Sequence, residues 1–348
     1  MRASRTHRRK RILVIGAGIS GCVVARELAD HGYEVSIIDR RDHVAGNCYD
    51  YVSDLGIRVH KYGPHIFHTS NWTVVDWLSR FCEWIDYEHK VVAMLADGRL
   101  VPFPPNRETL RYVTPEKLAD VFYRPYTEKM WGLPIEELNR NIINRVPTRD
   151  DGEDRYFPKD AFQKLPKDGY TSMVNQILDH PSIEVHLKTA FDKSMEQHYA
   201  HVFNSMAIDE YFDFIHGELP YRSIIFHHEV IEAPRVTVHP VINYTDDSRF
   251  TRVTEWKNFT GHGDHEGRTL ITHEEPCDFR DNGHERYYPV KDSAGKNAAI
   301  YGRYKAMTPD HITFIGRCGQ YVYLNMDQAV SSALASSRRF IARRALAA

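Results

Sequence analysis

The sequence reads as an α/β protein, a Rossmann-like dinucleotide-binding domain with a small helical insert and an antiparallel β-sheet substrate domain. Three observations lead to this reading. The apolar strand Arg11-Ile-Leu-Val-Ile15 runs into Gly16, Gly18 and Gly21, spaced G-x-G-x-x-G. A second apolar strand, Glu34-Val-Ser-Ile-Ile38, ends on the acid Asp39. Near the C-terminus, Ile312-Thr-Phe-Ile-Gly-Arg317 is a strand followed by glycine, and Met326 to Ala347 is a helix, so a late strand and helix return to complete the first domain. In such a unit the first glycine permits a tight turn and the second lets backbone approach a pyrophosphate at the positive helix N-terminus. The third lets helix and strand pack closely. Asp39, with Arg40 beside it, is then placed to hold a ribose hydroxyl.

The intervening elements follow in order. A Gly- and His-rich loop, Val44-Ala-Gly-Asn47 through His60-Lys-Tyr-Gly-Pro-His-Ile-Phe-His-Thr69, is expected to line the cofactor through Gly46 and Asn47. Val74, Val75, Leu78 and Phe81 lie on one face of a helix. Val91-Val-Ala-Met-Leu95, the Asp97-Gly98 turn and Leu100-Val-Pro-Phe103 predict a hairpin. Thr114-Pro-Glu-Lys117 caps a helical insert that ends near Trp131-Gly-Leu-Pro134. Val236-Thr-Val-His239, Val241-Ile-Asn-Tyr244, Arg252-Val-Thr-Glu-Trp256, Thr269-Leu-Ile-Thr272 and Arg286-Tyr-Tyr-Pro-Val290 alternate as strands of a second sheet. The expected division is 11–80 with 182–212 and 309–345 for the dinucleotide domain. The helical insert takes 104–145, and 81–103, 146–181 and 213–308 form the sheet domain.

Composition narrows the partner. With 45 basic against 47 acidic residues in a chain of 348, no bulk charge favours nucleic acid or a membrane, and a small-molecule partner is expected. Five cysteines, Cys22, Cys48, Cys82, Cys277 and Cys318, show no C-x-x-C spacing, which suits a cytoplasmic protein. The basic stretch Arg5 to Arg11 is read as a frayed N-terminus, because the apolar run behind it passes at once into the glycine motif.

Several motifs, in shared order over nearly the whole chain, resemble the UDP-galactopyranose mutase family. They are the glycine motif, Gly46-Asn47, His60 through Thr69, Tyr126-Thr-Glu-Lys-Met-Trp-Gly132, Val146-Pro-Thr-Arg149 and Asp209-Glu-Tyr-Phe-Asp213. Tyr221-Arg-Ser223, Thr251 through Glu255, Arg286 through Val290, Gly316-Arg317 and Tyr321 through Gln328 continue the series. The resemblance implies a pyranose-to-furanose ring contraction on a nucleotide-diphosphate sugar, with reduced FAD as nucleophile and no net redox change. It also implies residue roles. Arg149 and Arg252 would clamp the diphosphate, aided by hydroxyls of Tyr287 or Tyr288 and of Tyr323. Trp131 would lie beside the sugar, Phe122, Tyr123 and Tyr126 beside the base, and Tyr156 on a substrate loop. His65 and His68 would face the flavin, Arg317 would face the flavin or its pyrophosphate, and Met326 would line the cofactor. Without the resemblance, Arg252 is as readily a partner of Glu255, and the aromatics are core filler.

Departures from the family pattern carry expectations of their own. The insert between Pro105 and Tyr126 is short, so the usual dimer interface is expected to be altered. Asn325 stands where aspartate is frequent, and His89 stands where asparagine is common. A Thr-Gly-Pro is replaced within Val202-Phe-Asn-Ser-Met-Ala-Ile-Asp209, so side chains at Asn204, Ser205 and Met206 are expected to crowd FAD, as is Ala45 in place of glycine. One alternative is therefore a flavin-independent mutase on a different, GDP-linked sugar, using Mn or Mg held by His262, Asp264 and His265. A second is an FAD-dependent oxidoreductase of the same fold.

Overall fold

Ile12, Leu13 and Val14 are each fully buried, so their strand is covered on both faces, as a central strand of a parallel sheet must be. In the computed structural model, which describes residues 11–137 and 149–346, this strand lies third of five. The order is Ile183–His186, Glu34–Ile38, Arg11–Ile15, His201–Asn204 and Ile312–Phe314, all parallel. Helix Ile19–Ala29 covers one face and packs against the terminal helix Met326–Leu346 and against helix Tyr170–Leu178. Buried Glu27 ties these layers, accepting from Trp77 Nε1 at 3.0 Å and Arg338 Nε at 2.8 Å.

The second sheet has seven strands. Their order is Tyr288–Pro289, Tyr221–Ile231, Thr269–Asp278, Arg252–Glu255, Val241–Tyr244, Val91–Met94 and Leu100–Phe103. The pairings are antiparallel except that of Val241–Tyr244 with Val91–Met94. The sheet unit expected over 81–103, 146–181 and 213–308 does not stay together. Trp84–Asp86 and Phe162–Pro166 join Phe67–Thr69 in a separate three-stranded sheet. The rings of Phe67, Trp84 and Phe162 pack together there, with Phe67 and Trp84 stacked at 5.1 Å, and that aromatic contact draws the strands away from the larger sheet.

Val236–His239 is not a strand. Pro234 and Pro240 flank it, Val236 and Val238 are exposed, and the Val236 and Thr237 amides donate to Glu255 Oε2 at 2.9 and 2.8 Å. The insert is short irregular helix: a 3-10 turn Pro115–Lys117, a π-turn Ala119–Tyr123 and an α-helix Arg124–Trp131. The expected motif residues Val146 to Thr148 lie outside the described residues.

Candidate active site

Two cavities meet at the C-terminal edge of the parallel sheet, where ligands of open α/β sheets bind. The first, about 360 Å³, is lined by Gly16, Gly18, Gly21, Asp39, Arg40, Gly46, Asn47, Ser205, Met206 and Gly316, among others. Gly16 has φ +97°, and a β-carbon there would fall 2.0 Å from Ser205 Oγ. Gly46 has φ +56°, and its β-carbon would fall 2.8 Å from the Gly18 α-carbon, so two backbones touch where a dinucleotide would pass. Asp39 accepts from Ala17 N at 2.7 Å and Arg41 N at 2.8 Å, which fixes the carboxylate at the cleft mouth. Arg40 and Arg41 both pair with Glu285.

The side chains expected to crowd this cleft leave it open. Ser205 Oγ turns back to donate to Ile15 O at 2.7 Å, and buried Asn204 points Oδ1 at its own Met206 N at 2.9 Å. Met206 lines the cleft while packing, partly buried, against the core cluster of Leu13, Val202 and Phe314. Ala45 adopts φ +70°, a left-handed conformation that a single alanine takes at a cost of about 1 kcal/mol. The cradle therefore fits a flavin dinucleotide.

The second cavity, about 470 Å³, shares His65, Arg317, Asn325 and Met326 with the first. It also collects His68, His89, Phe122, Tyr123, Tyr126, Trp131, Tyr156, Tyr287, Tyr288, Tyr323 and Arg252. The insert positions the aromatics. Helix Arg124–Trp131 ends on Gly132 at φ +65°, and Arg222 closes its C-terminus by donating from Nε to Met130 O at 2.9 Å and from Nη2 to Lys129 O at 3.1 Å. Lys129 Nζ donates onward to Tyr244 O, Asp246 O and Phe250 O, tying the helix to the seven-stranded sheet. Tyr126 and Trp131 thus face the same space as Arg252.

Half-buried Arg252 pairs with buried Glu274, not with Glu255. Its Nε lies 3.1 Å from Glu274 Oε2, its Nη2 donates to the Tyr126 hydroxyl, and the two residues are opposed in the sheet register. Burial pushes the Glu274 carboxyl up, and the guanidinium offsets part of that rise. Burial also opposes the charge on Arg252, but Glu274 and the tyrosines around it hold its proton more firmly than usual. Arg317, at the junction of the cavities, lies 5.0 Å from the Tyr323 ring centre, 5.3 Å from Tyr288 and 5.8 Å from Tyr287. Its Nε donates to Leu324 O at 2.9 Å, and no carboxylate among the described residues is in ion-pairing range.

Other expected residues sit differently. Arg149 does not line the cavity. Its guanidinium donates to Arg155 O at 2.7 Å and Tyr156 O at 3.3 Å, which fastens the loop carrying Tyr156. The Tyr287 hydroxyl donates out of the cavity to Tyr62 O at 2.7 Å. The proposed metal ligands do not converge: His262 Nδ1 bonds Arg58 O, Asp264 pairs with Lys257 at 2.6 Å, and His265 Nδ1 accepts from Gly267 and Arg268 amides. No group of three or more metal-ligating side chains occurs among the described residues. Sequence reasoning missed Asn243, whose buried Oδ1 has no partner among the described residues and which lines the same cavity. The position could have been found as the only polar residue among buried neighbours in Val241–Tyr244.

The comparisons agree with this geometry. Residues 121–323 match the UDP-galactopyranose mutase family, and residues 14–81 match the NAD(P)-binding Rossmann-like domain. A probable UDP-galactopyranose mutase of Klebsiella pneumoniae is 34% identical over 95% of each chain. The chain belongs to the UDP-galactopyranose mutase family. A dTDP-fucopyranose mutase of Escherichia coli is 33% identical over 95% of this chain and 98% of its own. The fold matches a crystal structure of reduced UDP-galactopyranose mutase with TM-score 0.75 and 17% identity, over 96% of this chain and 94% of that one. The protein is an isomerase of the pyranose-to-furanose class, built on a dinucleotide-binding domain. No helix among the described residues is long and apolar enough to cross a membrane.

Burial gives this mutase fold an acid limit. It pulls the imidazole of His89 down to about 3 and that of His201 to about 3, from an ordinary 6.5. An unfolded chain therefore takes up these protons below pH 6.5 while the folded one does not. Stability is full above pH 6.5 and falls as pH drops toward 3, by up to about 1.4 kcal/mol per pH unit for each such group. Urea midpoints at pH 7.5, 5.5 and 4.5 should decline in that order, and His89→Gln should flatten the slope. A flat series in both proteins would contradict the assignment.

Proposed function

We propose that this protein contracts the pyranose ring of a nucleotide-diphosphate sugar to a furanose, working with reduced FAD. The observation that carries the reading is the meeting of the two cavities at Arg317, one a glycine cradle for a dinucleotide, the other a cationic, aromatic chamber. Gly16, Gly18, Gly46, Asn47 and Asp39 would hold FAD, with Met326 and Arg317 toward its ring. Reduced FAD would supply an electron-rich nitrogen beside the sugar's anomeric carbon. The rest falls to side chains. Arg252 and the Tyr288 and Tyr323 hydroxyls receive the departing diphosphate, with forked guanidinium geometry suited to phosphate oxygens. Phe122, Tyr123, Tyr126 and Phe103 flank the base, and Trp131, its ring centre 5.8 Å from that of Tyr288 and tilted 46° to it, screens the sugar from water.

His262, Asp264 and His265 do not converge, so the metal-dependent alternative has no ligand set behind it among the described residues. Trp131 fluorescence should be quenched by one of UDP, dTDP or GDP at micromolar concentration. Equal indifference to all three, and to their hexose conjugates, would remove the nucleotide-sugar reading.

A further inference from the structure

Among the described residues three imidazoles line the substrate cavity, and only one of them has a carboxylate behind it. His65 directs Nδ1 to Gly63 O at 2.8 Å, and His89 directs Nδ1 to the Tyr87 hydroxyl at 3.2 Å. His68, on strand Phe67–Thr69, places Nδ1 2.6 Å from Asp160 Oδ2, and its ring lies on Phe157 with centres 3.5 Å apart and planes 8° apart. Phe157 and Asp160 belong to one turn, closed by Asp160 N donating to Phe157 O at 3.2 Å, so stacking plane and acceptor are set by the same short segment. Gln163 Nε2 donates to Phe157 O at 2.7 Å and braces that turn from the adjoining strand. Both His68 and Asp160 line the cavity, and His68 Nε2 has no hydrogen-bond partner among the described residues.

We propose that His68 is the proton carrier of the ring contraction and that Asp160 is its positioning residue, an inference that rests on the mutase reading above. A carboxylate on Nδ1 keeps the proton on that nitrogen in both charge states of the ring, turns Nε2 toward the substrate, and stabilises the imidazolium while Nε2 carries its proton. The chemistry needs one proton in each direction. When the pyranose opens, the C1–O5 electron pair returns to the ring oxygen, which takes the Nε2 proton of a His68 that enters the cycle as the imidazolium, while the electron-rich nitrogen that reduced FAD would supply makes good the electron deficit at C1. When the furanose closes, an O4 lone pair forms the C1–O4 bond, and the O4 proton passes back to Nε2. Charge and redox state are unchanged over the cycle. His65 and His89 lack the anionic partner that would let them carry the proton, and burial pulls them down to about 4 and about 3.

The test compares wild type, Asp160→Ala, Asp160→Asn and His68→Gln, each loaded with FAD and reduced, on the nucleotide sugar that wild type turns over. Asp160→Ala should lose about 100-fold in kcat, the typical contribution of a positioned acid–base group, with UDP, dTDP or GDP affinity unchanged. Added formate should recover Asp160→Ala but not His68→Gln, and Asp160→Asn should stay low. Independently of activity, imidazole 15N shifts of wild type should show His68 protonated at Nδ1, with that preference lost in Asp160→Ala. Normal kcat in Asp160→Ala, or a loss confined to KM without formate rescue, would overturn the proposal while the mutase reading stood. No ring contraction by wild type on any sugar would overturn both.

Discussion

Arg252→Ala is expected to lower kcat/KM for ring contraction by about a thousandfold, roughly 4 kcal/mol, the scale for removing one partner of a buried charge pair. Two losses combine. The cavity loses a guanidinium that lies beside Tyr126, and Glu274 is left with no other cation in range among the described residues, where its Oε1 already has no partner. Because burial already pushes the Glu274 carboxyl up, the variant should meet that loss by protonating Glu274 rather than by unfolding. Arg252→Lys restores charge without the planar fork, so it should fall between wild type and alanine. Glu274→Gln should fold and bind diphosphate while loosening Arg252, visible as a change in KM. Steady-state kinetics with thermal melts on the same samples checks all three, and near-normal kcat/KM in Arg252→Ala would remove it from the diphosphate site.

The second large effect belongs to the cofactor cleft. Gly46→Val should abolish flavin retention, weakening affinity by at least about 100-fold, or roughly 3 kcal/mol, from left-handed strain plus overpacking. The obstruction is backbone on both sides, since the Gly46 β-carbon position lies 2.8 Å from the Gly18 α-carbon and Gly18 is itself bridged to Ala45. Neither can move without shifting the helix start at Ile19. The loop is peripheral to the parallel sheet, so far-UV circular dichroism should stay near wild type while the flavin absorbance per chain disappears. Full flavin occupancy in Gly46→Val would mean that the dinucleotide does not pass between these two glycines.

What could be read from the chain, and what could not, divides by sequence distance. The glycine unit is local, and strand, turn and helix sit within 11–39, so close backbone approach at Gly16 could be inferred from spacing alone. The aromatic lining was legible from motif order, because Tyr126 and Trp131 lie on one helix and Tyr287 and Tyr288 on one segment. Partners were not. Glu255 is three residues from Arg252, yet the alternating strand puts Glu255 on the opposite side, where it holds the Val236 and Thr237 amides. Glu274 meets Arg252 only through antiparallel register with Thr269–Asp278. Asp160 and His68 are likewise joined by pairing of Phe67–Thr69 with Phe162–Pro166, which no local pattern announces. The crowding expected of Asn204 and Ser205 failed for a related reason. Both polar side chains bond to nearby backbone, so Ser205 lines the cleft without closing it and Asn204 stays buried beneath it.

The most direct test of the account is anaerobic 1H NMR of the FAD-loaded, dithionite-reduced protein with UDP-, dTDP- and GDP-hexopyranoses. One of them should yield furanose anomeric signals with the diphosphate linkage intact, oxidised protein should be inactive, and Arg252→Ala should yield almost none. Full activity of flavin-free protein, or an oxidised sugar in place of a furanose, would contradict it.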